Sequence, residues 1–440
     1  MNHLSSRAAS ERKMHSKHLH EVDFDKAPFT VLWEVTRACA LACRHCRAKA
    51  QPRPDPRQLT TEESLRLVDQ IAEFGSPILV FTGGDPMMRR DLEQLIRYAS
   101  QEKGLRTSLT PSSTALVTKK RLKSVMDAGI RRIALSLDGP NENIHDSFRG
   151  FSGSFRRTME ILQDAQDVGL SVQVNTTVTK LNLPYLEEMV PFLERYGAVQ
   201  WSLFFLVPVG RARIEDMITP QEHEQVYNWL YDLSKSSPFD VKATNAQPYR
   251  RVAIQRARAE MEKKDVSIQR ARAEMEKKDV SIQGAGFQYA DGLNRPVKGV
   301  NDGKGVMFIS HVGEVYPTGF FPLSAGNVRK RSVVEIYRNS TLFRNLRDES
   351  KLKGKCAVCE FRDVCGGNRS RAYALTGDPM ESEPTCVWVP PKYREMVERG
   401  EAEPVDEYFL KRIKPEFLTA DLVESLHRVA AGSLMTLREE

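Results

Sequence analysis

Three thiols stand in the run Trp33-Glu34-Val35-Thr36-Arg37-Ala38-Cys39-Ala40-Leu41-Ala42-Cys43-Arg44-His45-Cys46, at a C-x3-C-x2-C spacing just after an apolar, strand-like segment (Phe29–Val35). Three thiolates on one short loop can hold three corners of a [4Fe-4S] cube and leave the fourth iron without a protein ligand. An open position on a metal centre is where chemistry takes place. Taken alone, the spacing also admits a chance group of thiols or a zinc site short of one ligand; His45 sits awkwardly beside Cys46 for both to hold one ion. The other four of the seven cysteines, Cys356, Cys359, Cys365 and Cys386, lie near the C-terminus. Four thiolates can close tetrahedrally on zinc or complete a cube.

Further polar groups fall where strands should end. One string is Phe81-Thr82-Gly83-Gly84-Asp85-Pro86, whose paired glycines would let a ligand approach the backbone. Another is Ser136-Leu137-Asp138-Gly139-Pro140, followed by His145-Asp146-Ser147-Phe148-Arg149-Gly150. The elements that must position them alternate. Strand candidates are Phe29–Val35, Ile78–Thr82, Thr107–Thr110, Arg132–Leu137, Val172–Val178 and Gln200–Leu206. Between them, Thr61–Phe74, Arg90–Gln101, Lys119–Ala128, Ser154–Val168 and Pro184–Tyr196 carry apolar residues at helical spacing. Thr60-Thr61-Glu62-Glu63 is a capping-box pattern at the start of the first helix. Repeated β-α units imply parallel strands with right-handed crossovers. The expected fold class is α/β, a partial (β/α)6 TIM-like barrel with a C-terminal iron–sulfur extension; eight units would be needed for the closed form.

Around this body, residues 1–27 read as a flexible polar tail containing His3, His15, His18 and His20, and 28–235 as the barrel. Residues 236–302 read as a linker or helical region in which Ile254–Ser267 recurs unchanged as Ile268–Ser281, a pattern best explained by a recent duplication. Residues 303–391 carry the late cysteines and open on a strand-like segment, Gly305–Ser310; 392–440 read as a helical tail. The chain of 440 residues is 40% hydrophobic and 28% charged, ordinary for a soluble protein. It has no apolar run long enough to span a membrane and no apolar leader, so the cytoplasm is expected. An odd number of cysteines there disfavours a disulfide framework. The net charge of +7 permits an anionic substrate, but no basic run interleaved with aromatics points to nucleic acid.

Together these motifs resemble those of radical S-adenosylmethionine (SAM) enzymes, over about residues 28–389. The resemblance implies that Cys39, Cys43 and Cys46 hold a [4Fe-4S] cluster with SAM at the open iron. A reductant such as ferredoxin or flavodoxin would supply the electron that cleaves SAM to methionine and a 5′-deoxyadenosyl radical. It also implies roles for His45 beside the adenine, Gly83, Gly84, Asp85 and Pro86 at the methionine amine, Ser136 at the ribose and Arg149 at the carboxylate. Asp85 stands where glutamate is usual. The region of Cys356, Cys359, Cys365 and Cys386 resembles the SPASM extension of these enzymes. Thr318 and Arg369 occupy positions where that extension has ligands of a further cluster, so one auxiliary [4Fe-4S] cluster is expected.

Leu206-Val207-Pro208-Val209-Gly210-Arg211 and the segment Cys365–Asp378 look like the tetrapyrrole-tailoring branch, which includes the haem d1 maturase and the decarboxylases of the alternative haem pathway. There the radical attacks a propionate, and Arg211, Arg369 and Arg371 are candidates to pair with propionates or, equally, structural arginines. Two alternatives stand beside this: maturation of a peptide or peptide-derived cofactor, and a non-catalytic iron–sulfur electron-transfer or scaffold protein. No acid, base or radical quencher is evident.

Overall fold

The computed structural model describes residues 22–263 and 299–432. The N-terminal histidine tract, the second copy of the repeat and the last eight residues lie outside them.

Six β-strands follow the expected alternation: β1 (Thr30–Thr36), β2 (Ile78–Gly83), β3 (Arg106–Leu109), β4 (Arg132–Ser136), β5 (Ser171–Val178) and β6 (Gln200–Phe205). Each pairs in parallel with the next. The crossovers carry helices α1 (Thr61–Ala72), α2 (Leu92–Arg97), α3 (Lys119–Ala128), α4 (Glu142–Arg149), α5 (Ser154–Asp167) and α6 (Val190–Arg195). The capping box at α1 is formed: Thr60 Oγ1 accepts from Glu63 N at 3.2 Å while Thr60 N donates to Glu63 Oε2 at 2.9 Å. Helix α4 is one that the apolar pattern missed, because only eight residues separate its Asn141 cap from Gly150, where the chain turns left-handed (φ 65°).

The barrel is larger than six units. After α7 (Pro220–Ser236) a seventh parallel strand, β7 (Asp240–Thr244), adds to β6, inside the stretch read as linker. Helix α8 (Pro248–Lys263) follows and includes the start of the first repeat copy. At the other edge, beyond β8 (Asn301–Asp302), β9 (Gly305–Ile309) pairs in parallel with β1 from Thr30↔Val306 to Trp33↔Ile309. The hairpin strands β10 (Glu314–Tyr316) and β11 (Gly326–Asn327) finish that edge antiparallel. The order is β11-β10-β9-β1-β2-β3-β4-β5-β6-β7, with β8 on β9, so the sheet stays open between β7 and β9. Strand β7 is short and lacks a strong two-residue alternation, which is why the sequence pattern did not reveal it; β9 falls on the strand-like segment Gly305–Ser310, but nothing local marks its place beside β1.

Side chains alternate across the strands. Val31, Trp33, Val35, Leu79 and Phe81 pack outward under the helices in one continuous core, while Thr30, Leu32, Val80, Ser108 and Ala134 face a cavity inside the sheet. Full burial of such outward side chains contributes roughly 1.5–3 kcal/mol each. A separate apolar cluster joins Val387 and Tyr393 to the tail helices Val405–Leu410 and Ala420–Ala430.

Candidate active site and auxiliary cluster site

The three-cysteine loop leaves β1 and is closed at its base by Cys39 N donating to Gln51 O (2.9 Å) and Gln51 N to Arg37 O (3.2 Å). Cys39 and Cys43 are buried and Cys46 half-buried, beside Leu41 and Ala50. Three neighbouring segments clamp the loop, and glycine makes each contact possible. A Cβ at Gly84 would lie 2.5 Å from Ala38 O and 2.6 Å from Arg37 O; one at Gly210 (φ +69°) would lie 2.5 Å from Cys46 O. Gly84 N donates to Thr36 O (2.8 Å), Asp85 N to Ala38 O (2.7 Å), Arg44 N to Phe148 O (3.1 Å) and Arg211 N to Cys46 O (3.0 Å). The glycine pair is thus needed for close approach of the cysteine loop itself as well as for any ligand.

The loop's sulfurs have polar neighbours. Leu41 N donates to Cys39 Sγ at 3.3 Å, Ser112 Oγ lies 3.5 Å from the same sulfur, and Arg149 Nη1 is 3.8 Å from Cys43 Sγ. Burial pushes the Cys39 thiol above its usual range; bound metal reverses that balance by taking the thiolate as ligand. His45 stacks on Phe148 with ring centroids 4.3 Å apart. Desolvation, then the charges of Arg149 and Arg211, hold its pKa well below the ordinary value, so the ring is neutral. Around this loop Arg149 Nε and Arg211 Nη2 are buried donors without a partner, and the ring nitrogen His45 Nδ1 is likewise buried and unpartnered. Unsatisfied buried donors are costly, and an anionic cluster carrying the SAM carboxylate is a group that would satisfy them. The residues therefore fit a three-thiolate cube with SAM.

His45, Gly83, Gly84, Ser136 and Arg149 all line the central cavity with the three cysteines; Asp85 and Pro86 do not. The Asp85 carboxylate instead accepts from Met87 N (3.1 Å), Thr114 Oγ1 (2.7 Å) and Ser112 N (3.4 Å), fixing the turn Pro86–Met88 and the loop after β3. Arg149, the last residue of α4, pairs with the buried Asp138. Burial raises the Asp138 carboxyl and Arg149 only partly offsets it.

Of the two readings left open for Arg211, Arg369 and Arg371, the contacts favour the structural one. Arg369 is buried and spends Nη1 on Pro379 O (2.8 Å) and Glu381 O (2.7 Å). Arg371, also buried, pairs with Glu383 at 3.3 Å and donates to Leu206 O, Phe205 O and Asn245 O. Neither faces the cavity. Arg211 donates to Cys43 O (2.9 Å) and Ala50 O (3.3 Å), so it braces the cysteine loop. All three are structural arginines. Sequence reasoning missed Ser112 and the Glu34–His311 contact (2.7 Å), which ties β1 to the end of β9; their partners are 73 and 277 residues away, with no local signal.

Cys356, Cys359, Cys365 and Cys386 together line a narrow cleft with Arg251, Lys355 and Trp388. Burial, then the neighbouring Cys386, pushes the Cys365 thiol up to about 12, as expected of thiols crowded together without metal. Gly367 N donates to Cys365 Sγ at 3.4 Å. Among the described residues no three His, Cys, Asp or Glu side chains close around a single ion's position; a cube, whose thiolates bind separate irons, makes no such demand. Thr318 instead bonds Asp302 Oδ1 (2.7 Å) and Ser370 Oγ (3.1 Å), so a hydrogen-bonded knot occupies the place of a further cluster ligand.

Residues 33–193 match the Radical SAM superfamily and 301–360 the iron–sulfur cluster-binding SPASM domain. The AdoMet-dependent heme synthase of Oleidesulfovibrio alaskensis (strain ATCC BAA-1058 / DSM 17464 / G20) is 41% identical over 364 residues, covering 82% of this chain and 88% of that relative. This chain belongs to the radical SAM superfamily. A second relative of this radical SAM enzyme, the AdoMet-dependent heme synthase of Methanosarcina barkeri (strain Fusaro / DSM 804), is 37% identical and covers 83% of this chain and 98% of its own length. The pre-heme d1 synthase of Dinoroseobacter shibae (strain DSM 16493 / NCIMB 14021 / DFL 12) is 25% identical, covering 86% and 89%. Among solved structures, native anSMEcpe with bound AdoMet aligns with a TM-score of 0.57 at 14% identity, covering 92% of this chain and all of the other, a likeness of fold. The enzyme carries a [4Fe-4S] cluster with SAM at the open iron and one auxiliary [4Fe-4S] cluster. Its role is related to haem. No described helix is long and apolar enough to cross a membrane.

Proposed function

We propose that this enzyme converts propionate arms of an iron tetrapyrrole into vinyl groups, in the cytoplasm, with ferredoxin or flavodoxin as reductant. One observation carries the substrate class. The central cavity, about 660 Å³, is lined by seven Arg or Lys side chains and, among the described residues, a single carboxylate, Asp302. Asp302 is itself held by Ser370 and Thr318. Phe204, Phe308 and Phe320 give the same cavity an aromatic wall, with the Phe204 and Phe320 rings 6.4 Å apart. A flat, apolar molecule with several carboxylates suits that combination; the names of the heme synthase relatives agree with it.

When bound, SAM and the open cube supply the 5′-deoxyadenosyl radical, and the closed cube is the chain's available one-electron acceptor. Removing one hydrogen atom from the propionate carbon next to the ring, then CO2 and one electron, leaves a vinyl group and 5′-deoxyadenosine. Within this reading His45 with Phe148 receives the adenine, Ser136 the ribose, the Gly83–Pro86 backbone the methionine amine, and Arg149 the carboxylate. The test is anaerobic turnover of iron coproporphyrin III with SAM and reductant, followed by mass spectrometry. Each converted arm should lose the mass of CO2 plus two hydrogens, matched by 5′-deoxyadenosine. Formation of 5′-deoxyadenosine with the porphyrin bound but intact would reject the reaction.

A further inference from the structure

The cleft of the four late cysteines holds two buried donors that the fold leaves open. Arg251, on the first turn of α8, is 3% exposed. Its Nη1 donates to Glu224 Oε1 (2.7 Å) and Gln255 Oε1 (2.9 Å), and its Nη2 to Glu224 Oε2 (2.5 Å). Its Nε is buried without a partner. Trp388 stands two residues after Cys386. Its ring lies against Phe361, with centroids 6.3 Å apart, and under the Arg251 guanidinium at 5.8 Å; its Nε1 is also buried and unpartnered. Both residues line the cleft together with Cys356, Cys359, Cys365 and Cys386. Burial opposes the charge of Arg251, yet Glu224 and then the sulfurs of Cys386 and Cys365 raise its pKa, so the guanidinium is within electrostatic reach of two ligands. Lys355, by contrast, is spent on Cys386 O. A buried donor without an acceptor is costly. Two of them on a cleft walled by four thiols point to sulfur as the acceptor.

We infer that Arg251 Nε and Trp388 Nε1 donate hydrogen bonds to the sulfurs of the auxiliary cluster and raise its reduction potential, which suits it to receive an electron. Hydrogen bonds to the sulfurs and the local charge set such potentials. Reduction adds one negative charge to a group that is already anionic, and a buried N–H stabilises the more negative state more strongly. The arrangement of α8 shows why this matters. Where that helix begins, Gln247, Tyr249 and Arg250 line the central cavity while Pro248 and Arg251 line the cleft. Asn301, also on the cavity wall, donates to Cys365 O (3.3 Å) and Gly367 O (2.7 Å). A single helical turn and one amide thus separate the cavity from the closed cube. In the reaction proposed above, the electron released as CO2 departs has this short way out, and the two donors favour its arrival.

The test uses the full chain with Cys39, Cys43 and Cys46 each replaced by Ala, which leaves the closed cube alone, about four irons per chain. A redox titration followed by electron paramagnetic resonance gives its midpoint potential. Trp388→Phe keeps the aromatic contacts and removes the N–H. It should disfavour reduction roughly tenfold, a fall of about 59 mV for one electron. Arg251→Met/Glu224→Gln removes the Nε donor without stranding a carboxylate, and should lower the potential by roughly as much. Unchanged potentials with the iron retained would overturn the inference. One measurement needs neither variant. Tryptophan isotopically labelled at the indole nitrogen should show a hyperfine coupling to the reduced cube, and a reduced cube without that coupling would overturn the role of Trp388. In the enzyme with both cubes, Trp388→Phe should lower the number of converted arms per 5′-deoxyadenosine. That readout alone rests on the tetrapyrrole reading: an unchanged ratio beside a shifted potential would overturn the link to the reaction and leave the hydrogen bonds standing.

Discussion

Asp138 and Arg149 show how one pair can serve both fold and site. Asp138 is fully buried after β4; its Oδ1 accepts from Thr177 N at 2.7 Å while the other oxygen pairs with Arg149. Arg149 Nη1 meanwhile reaches toward Cys43 Sγ. Replacing Arg149 by Met strands a buried carboxylate, which costs about 3–5 kcal/mol. Thermal denaturation should show that loss, and the double variant Arg149→Met/Asp138→Asn should regain most of it. SAM-dependent 5′-deoxyadenosine formation should stay low in both, because the guanidinium is missing in both. Recovery of cleavage in the double variant would confine Arg149 to a structural role. The cysteines could be read from the sequence because their spacing is local. The partner of Arg149 could not, since an arginine at the end of a short helix reads equally well as a surface ion pair.

Between elements, Arg371 plays the corresponding part. It joins the helix Arg369–Thr376 to the ends of β6 and β7 through Leu206 O, Phe205 O and Asn245 O, and to the segment before Cys386 through Glu383 and Thr385. Burial pushes the Glu383 carboxyl up, but Arg371 and Thr385 more than offset it and hold it below its usual range. Arg371→Met should therefore lower stability by about 3–5 kcal/mol and release the auxiliary cluster, read as a fall of about four irons per chain. Retention of all iron would show that the helix is held by other contacts. At this scale the alternating units from β1 to β6 were legible, since each strand and helix repeats its apolar residues at its own period. Strand β7 was not, and β9, legible as a strand-like segment, was not legible as the neighbour of β1. Asp240–Thr244 has only two buried residues of five, and Gly305–Ile309 gains its place from pairing with a strand nearly three hundred residues earlier.

Over the whole molecule, barrel and extension meet along β1 and β9 and through the ion pair of Arg329 with Glu63. That bond to Arg329 lowers the Glu63 carboxyl to about 2. A depressed carboxylate pKa stabilises the fold above the unfolded value and loses that contribution as pH falls. Because both side chains are partly exposed, the pair contributes below about 1 kcal/mol. The melting difference between the native chain and Arg329→Ala should be largest above pH 4.5, shrink below it and vanish near pH 2. Iron analysis should give about eight irons per chain, from one open and one closed cube; four or twelve would contradict that composition. Removing residues 268–281, the second repeat copy, should leave iron content and activity intact. The cavity itself was not legible as an object, since seven cations spread over the chain converge only when the sheet curves.

The pairing of β9 with β1 also has a temporal meaning. Trp33 acquires its β9 neighbour only when Ile309 has been made. At 5–20 residues per second, the intervening chain takes roughly 15–55 s to synthesise. During that interval β1 keeps an open edge, and the thiols of Cys39, Cys43 and Cys46 hang from a strand that lacks one side. Contacts so distant in sequence slow folding. The loop that holds the reactive cube is therefore among the first parts of the chain to leave the ribosome and among the last to be locked in place.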